Sequence, residues 1–161
     1  MLNNLQQLDH KLSKKFAELS RFKLLSQVMK VFALSGELWV WLIIFAWVWY
    51  QYNNYQYLIA VLIVAVVNKS IKYIFKRKRP AEELSAYYQK YDPHSFPSSH
   101  SARAGMIFLA AFHLPADWIW VGVAYALLVI LSRLILSMHY ISDVVVGFCV
   151  GVLVTWLVFL I

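Results

Sequence analysis

Two histidines, a carboxylate four residues after the second, and a set of lysines and arginines stand out from an otherwise apolar chain. They fall in three short clusters. The first runs from Lys72 through Lys76, Arg77 and Lys78 to Arg79 and Pro80. The second is Pro97, Ser98, Ser99 and His100. The third is Ser132 and Arg133, then His139, then Asp143. Phosphoryl transfer needs this set of parts: cations for the anionic oxygens, a proton donor for the leaving group, and a nucleophile that a carboxylate can orient.

Each cluster contributes differently. Lys72, Lys76 and Arg79 would share a helical face if the preceding helix continued to Arg79, with Pro80 ending it. Lys72 follows a long charge-free run, and a charge at such depth points to function. The Lys76-Arg77-Lys78 portion alone reads more simply as a basic membrane anchor. Ser98 or Ser99 can cap the start of a helix, whose first N–H groups and positive dipole end favour an anion. Capping alone would be unremarkable, but His100 in the first turn adds a proton donor beside that anion. Asp143, four residues after His139, can accept from one imidazole nitrogen and leave the other as nucleophile. A lone His–Asp pair is more often structural. The company of Lys72, Arg79, Arg133 and His100 favours catalysis here. Arg103, one turn past His100, is a further cation near the expected phosphate. His10, His94 and His113 are scattered and no HExxH motif occurs, so no metal site is expected.

The elements that position these clusters are apolar. The chain has 161 residues, enough for one domain; 61% are apolar, 17% aromatic and only 14% charged, and its mean hydropathy is +0.61. Soluble domains carry roughly a quarter charged residues, so the missing polar surface is best explained by lipid. The net charge of +7 then points to anionic lipid or phosphate rather than nucleic acid, for which so apolar a chain has little water-facing area. The one cysteine, Cys149, can form no intrachain disulfide. The N-terminus lacks the apolar segment of a cleavable signal, so insertion is expected to use the spans themselves.

Apolar periodicity and charge place the spans. Residues 5–33 predict one amphipathic helix, with Leu5, Leu8, Leu12, Phe16, Leu19 and Phe22 on one stripe and Lys11, Lys14, Lys15 and Arg21 between. A basic helix of this kind lies in the interface, which assigns residues 1–35 to an interfacial helix and 36–161 to the membrane domain. Spans are predicted over 37–50, 55–75, 99–114, 118–137 and 142–161, with a charged loop over 76–97 and a turn at Pro115-Ala116-Asp117. The fold class is therefore all-α: a membrane bundle of five spans plus the N-terminal helix, or six spans if that helix crosses. Five spans gather all three polar clusters on one face. Tyr and Trp residues around 47–57 and 118–120 then form a belt at the other.

At this level of detail the chain resembles the type 2 phosphatidic acid phosphatase superfamily. The likeness rests on Lys72-x6-Arg79-Pro80, Pro97-Ser98-Ser99-His100 and Ser132-Arg133-x5-His139-x3-Asp143, within residues 36–161. One position departs from the pattern: Ser99 stands where the family usually has glycine. The resemblance implies that His139 attacks phosphorus to form a phosphohistidine, that His100 protonates the leaving group and that Asp143 holds His139. It further implies that Lys72, Arg79, Ser98, Ser99 and Arg133 cradle the phosphate without metal or cofactor. The expected function is hydrolysis of a lipid phosphomonoester or pyrophosphate, with undecaprenyl pyrophosphate, phosphatidylglycerol phosphate, phosphatidic acid and lipid A as substrate types. The alternative is a non-catalytic binder or transporter of anionic lipid, which would need the cations but not both histidines and Asp143. The resemblance places the protein in a bacterial inner membrane with the site facing out. The positive-inside rule, counting the basic residues of 11–30 and 76–79, points the other way.

Overall fold

The structure, a computed structural model, describes residues 2–81, 90–113 and 116–161. Seven α-helices account for most of them: α1 Leu2–Ala17, α2 Lys23–Ser35, α3 Leu38–Tyr52, α4 Gln56–Phe75, α5 Ser99–Ala111, α6 Ala116–Ile135 and α7 Ile141–Phe159. A single 3-10 turn, Glu18–Arg21, joins α1 to α2. The described residues contain no strand, only an isolated bridge between Lys78 and His94. The chain is an all-α membrane bundle. Helices α4, α7 and residues Trp118–Ile135 of α6 are each long and apolar enough to cross a bilayer, and α2 with α3 pass the same test together while bent by 52°.

The one amphipathic helix expected over 5–33 is two helices. The chain goes extended at Phe22 (φ −82°, ψ 102°) and turns a corner there. Only α1 lies across the polar face, where Asp9 accepts from the backbone N–H and hydroxyl of Ser142, and Ser13 accepts from the Ile141 N–H. Helix α2 instead packs along α6 and runs into the break at Ser35–Glu37. At 15 residues α3 rises only about 22 Å, short of a hydrocarbon core of about 30 Å; it passes the length and composition test for a span only together with α2.

Local signals set the other boundaries. Asn53 closes α3 in the left-handed region at φ 51°, a conformation Asn tolerates. The Asn54 side chain then accepts from Gln56 N–H to start α4. Helix α4 stops at Phe75 because Lys76 turns left-handed at φ 48°. The helix therefore does not continue to Arg79, and Lys76 does not share a face with it; Arg79 reaches the site from an extended segment. Helix α5 ends at Ala111 rather than 114, and Pro115 of the expected turn lies outside the described residues.

Helix α5 is the centre of the bundle. It is buried almost throughout, in contact with α4, α6 and α7, so protein rather than lipid surrounds its 13 residues. Around it, Trp39, Ile43, Val66, Val121, Leu127, Leu153 and Trp156 point outward and exposed. A ring of exposed large apolar side chains is the surface expected of a lipid-facing bundle. Trp49, Tyr50, Tyr52, Tyr55, Trp118 and Trp120 are likewise exposed around the turns away from the polar face.

Candidate active site

Three helix termini meet on one face. The end of α4 brings Lys72, the start of α5 brings His100, and the junction of α6 with α7 brings Arg133, His139 and Asp143. Lys72, Arg79, His100, Arg133, His139 and Asp143 are all buried. Ser98 caps α5, its hydroxyl accepting from the Ser101 N–H at 3.3 Å, and its own N–H donates to the Asp143 carbonyl at 2.9 Å. That bond ties the second cluster to the third. Ser98 thus has a joining task, whereas the N–H groups of Ser99 and His100 in the first turn have no intrahelical acceptor by helix geometry.

His139 has a defined tautomer. Arg79 Nη1 lies 3.0 Å from His139 Nε2. A guanidinium only donates, so Nε2 must accept and the neutral ring carries its proton on Nδ1. That nitrogen faces Asp143 Oδ2 at 3.6 Å, an approach rather than a hydrogen bond. Burial first, then the charges of Arg79, Arg133 and Lys72, holds the His139 imidazolium well below the usual histidine range. A neutral imidazole with its Nε2 lone pair facing a cluster of cations has the chemistry to attack an anionic electrophile.

Asp143 is held from several sides. It sits in the first turn of α7, where Oδ2 accepts from the Tyr140 N–H at 2.9 Å, closing a capping arrangement with the helix start. Oδ1 accepts from Arg77 at 2.7 Å. Arg77 also donates to Ser142 Oγ and Asp9 Oδ2 at 2.6 and 2.8 Å, and stacks over the Tyr140 ring at 4.1 Å. Burial acts against charge on both Arg77 and Asp9. The hydrogen bonds and attractions between them and their neighbours outweigh it, raising Arg77 and lowering Asp9. Arg77, read from sequence as part of a basic anchor, bridges the N-terminal helix to the carboxylate behind His139.

Lys72 and Arg79 converge on one anion. The Asp92 carboxylate takes Lys72 Nζ on Oδ1 at 2.6 Å and Arg79 Nη2 on Oδ2 at 2.7 Å. Two buried cations this close need an anion between them, and a phosphate presents the same paired oxygens. Asn68, one turn before Lys72, donates to Pro97 O at 3.2 Å and Ser99 Oγ at 2.9 Å, so α4 also fixes the start of α5. Lys72, Ser99, His100 and Arg103 line a cavity of about 180 Å³. His139 opens onto a larger one of about 790 Å³, walled by Pro80, Tyr140 and α1 residues including Lys11 and Lys14.

The structure therefore brings together Lys72, Arg79, Ser99, His100, Arg133, His139 and Asp143, while Lys76 stays exposed on the surface. Asp9, Asn68 and Asp92 belong to no motif in the sequence. For the two acids the one signal is scarcity: eight acidic residues face fifteen basic ones, so acids near the basic clusters carry information.

Comparison with known proteins agrees with this geometry. The chain matches the solved transmembrane PAP2-type phosphatidylglycerolphosphate phosphatase of Bacillus subtilis with a TM-score of 0.78 and 28% identity, over 97% of this chain and 85% of that one. It matches LpxE of Aquifex aeolicus with a TM-score of 0.78 and 23% identity, over 94% of both chains, a likeness of fold. The model of the PAP2 superfamily matches residues 53–161, which hold all three polar clusters. The chain belongs to the PAP2 superfamily.

Proposed function

We propose that this protein is a membrane lipid phosphatase that removes phosphate from a lipid phosphomonoester or pyrophosphate through a phosphohistidine. The observation that carries it is the His139 Nε2 lone pair, fixed by Arg79 beside Lys72 with Asp143 behind the ring. The Bacillus subtilis relative, named for its action on phosphatidylglycerol phosphate, makes that lipid the first substrate to try.

In this mechanism the substrate phosphate displaces the Asp92 carboxylate from Lys72 and Arg79, with Arg133 closing from the end of α6. Helix-start N–H groups of Ser99 and His100 donate to the remaining oxygens. His139 Nε2 then forms a bond to phosphorus as the bond to the lipid oxygen breaks, and His100 gives that oxygen a proton. Asp143 balances the positive charge that His139 gains. Water next attacks phosphorus, the P–N bond breaks and inorganic phosphate leaves. All the charge the phosphate presents is met by side-chain cations, so no step calls for a metal.

Purified protein should release inorganic phosphate from at least one of phosphatidylglycerol phosphate, undecaprenyl pyrophosphate, phosphatidic acid and lipid A, undiminished by a chelator. Saturable binding of these lipids with no release from any would favour the non-catalytic binder instead.

We further propose that the site faces out of the cytoplasm. Lys72, Arg77, Arg79 and Arg133 are engaged in or buried at the site, so part of the basic excess on this face answers to chemistry rather than to topology. Helix α1 is bonded to the site face, so five crossings put the termini on opposite sides. Reporters fused at Met1 and Ile161 should place Met1 outside and Ile161 inside. Met1 inside with Ile161 outside would reverse the proposed sidedness, and both termini on one side would end the five-crossing arrangement.

A further inference from the structure

His100 packs into the break between α2 and α3. Its Nε2 lies 3.1 Å from the Ala33 carbonyl and 3.4 Å from Glu37 Oε1. Gly36 lies flat against the ring: a Cβ there would stand 2.9 Å from His100 Cδ2. One turn along α5, Arg103 donates from Nε to the Gly36 carbonyl at 2.7 Å, which fixes the break against the same helix. The 52° bend therefore delivers a carbonyl, a bare backbone and a carboxylate to one imidazole.

Both groups facing Nε2 are acceptors, so Nε2 keeps its proton in the neutral ring as well as in the imidazolium. The proton that comes and goes must be on Nδ1. The charged groups acting on the ring from α4, α5 and α6 are Lys72, Arg103 and Arg133, all cations. Placing a positive charge on a ring among three cations is electrostatically unfavourable, and Glu37 is the acidic side chain that the structure sets beside it. We propose that Glu37 is the positioning carboxylate of His100: it fixes Nε2–H and stabilises the imidazolium from which Nδ1 protonates the leaving oxygen. This rests on the assignment of His100 as the leaving-group acid.

The proton balance closes over the two steps. As the His139–phosphorus bond forms and the lipid oxygen leaves, the Nδ1 proton moves to that oxygen and His100 becomes neutral with Nε2–H retained. As water attacks phosphorus and the P–N bond breaks, a water proton returns to Nδ1. Glu37 exchanges no proton in either step. Its role parallels that of Asp143 toward His139, so each histidine has its own carboxylate, one local in sequence and one 63 positions away.

The test compares a lipid phosphate with p-nitrophenyl phosphate, whose leaving group departs without a proton. Glu37→Gln should lower kcat on the lipid about 100-fold, within the range of a general acid's contribution. On the aryl phosphate it should lose less than about 3-fold, and that retained turnover shows a folded protein. Glu37→Asp should recover part of the lipid activity. Equal losses on both substrates, or no loss on either, would overturn the assignment of Glu37. His100→Ala is measured alongside. If it shows the leaving-group dependence and Glu37→Gln does not, the Glu37 inference alone is wrong. If His100→Ala loses equally on both substrates, the acid assignment fails and the Glu37 inference falls with it.

Discussion

His139→Ala is expected to abolish phosphate release and, in acid-quenched reactions, any acid-labile phosphoenzyme. Alanine removes the side-chain atom that the mechanism bonds to phosphorus, the Nε2 that Arg79 holds at 3.0 Å. Asp143→Asn should lose up to about 10⁴-fold in kcat, by analogy with the carboxylate of a catalytic triad. The amide cannot balance the charge on a His139 that has attacked, and it gives up the charged pairing with Arg77 at 2.7 Å. The pH profile adds a second measurement. His139 must be neutral to attack, and burial with Arg79, Arg133 and Lys72 keeps it neutral below the usual histidine range. Its limb of the kcat/KM profile should therefore lie below pH ~6.5. Arg79→Gln removes one of the depressing charges, so the same limb should move to higher pH. Near-normal phosphate release by His139→Ala would sink the assignment.

Much of this site could be read from the chain because its parts sit at helix ends. Apolar runs bounded by polar residues gave spans over 55–75, 118–137 and 142–161, and the helices occupy Gln56–Phe75, Ala116–Ile135 and Ile141–Phe159. Once the crossings are counted, the clusters must share a face, and the Arg79–His139 contact at 3.0 Å shows that they do. What escaped was backbone geometry and tertiary pairing. Nothing in the residue types around Phe22 announces that α1 and α2 part there. The left-handed turn at Lys76 uses a residue that rarely adopts it. Asp9, Glu37 and Asp92 reach Arg77, His100 and the Lys72–Arg79 pair from segments that become neighbours only after folding. Counting Asp143, four of the eight acids thus lie at the site. In a membrane bundle an acid is costly away from a partner, so their gathering around the basic clusters follows from desolvation as much as from chemistry.

Gly151→Leu is expected to disable the protein as thoroughly as loss of a reacting group, from a position that touches no substrate. Helices α5 and α7 approach so closely that a Cβ at Gly151 would overlap the Ala102 carbonyl oxygen. One at Gly147 would overlap Ser98 O, and one at Gly105 would overlap Phe148 O. Without a hydrophobic driving force between helices in lipid, close backbone approach of this kind supplies much of their association. The obstructing atoms are backbone, so no side-chain rotation relieves the clash and α7 must move away from α5. That movement stretches the Ser98 N–H to Asp143 carbonyl bond at 2.9 Å and parts His100 from His139 and Asp143. A displacement of about 1 Å at reacting groups already costs on the order of 100-fold. Gly151→Leu should therefore lose more than that on lipid and aryl phosphate alike, with a lower Tm and less folded protein in detergent. Leu153→Phe, two residues on and exposed on the outer surface of the same helix, should change neither. Wild-type turnover by Gly151→Leu would mean that the two helices do not need this contact, and that the histidines are held in register by the Asp143, Arg77 and Asp9 contacts instead.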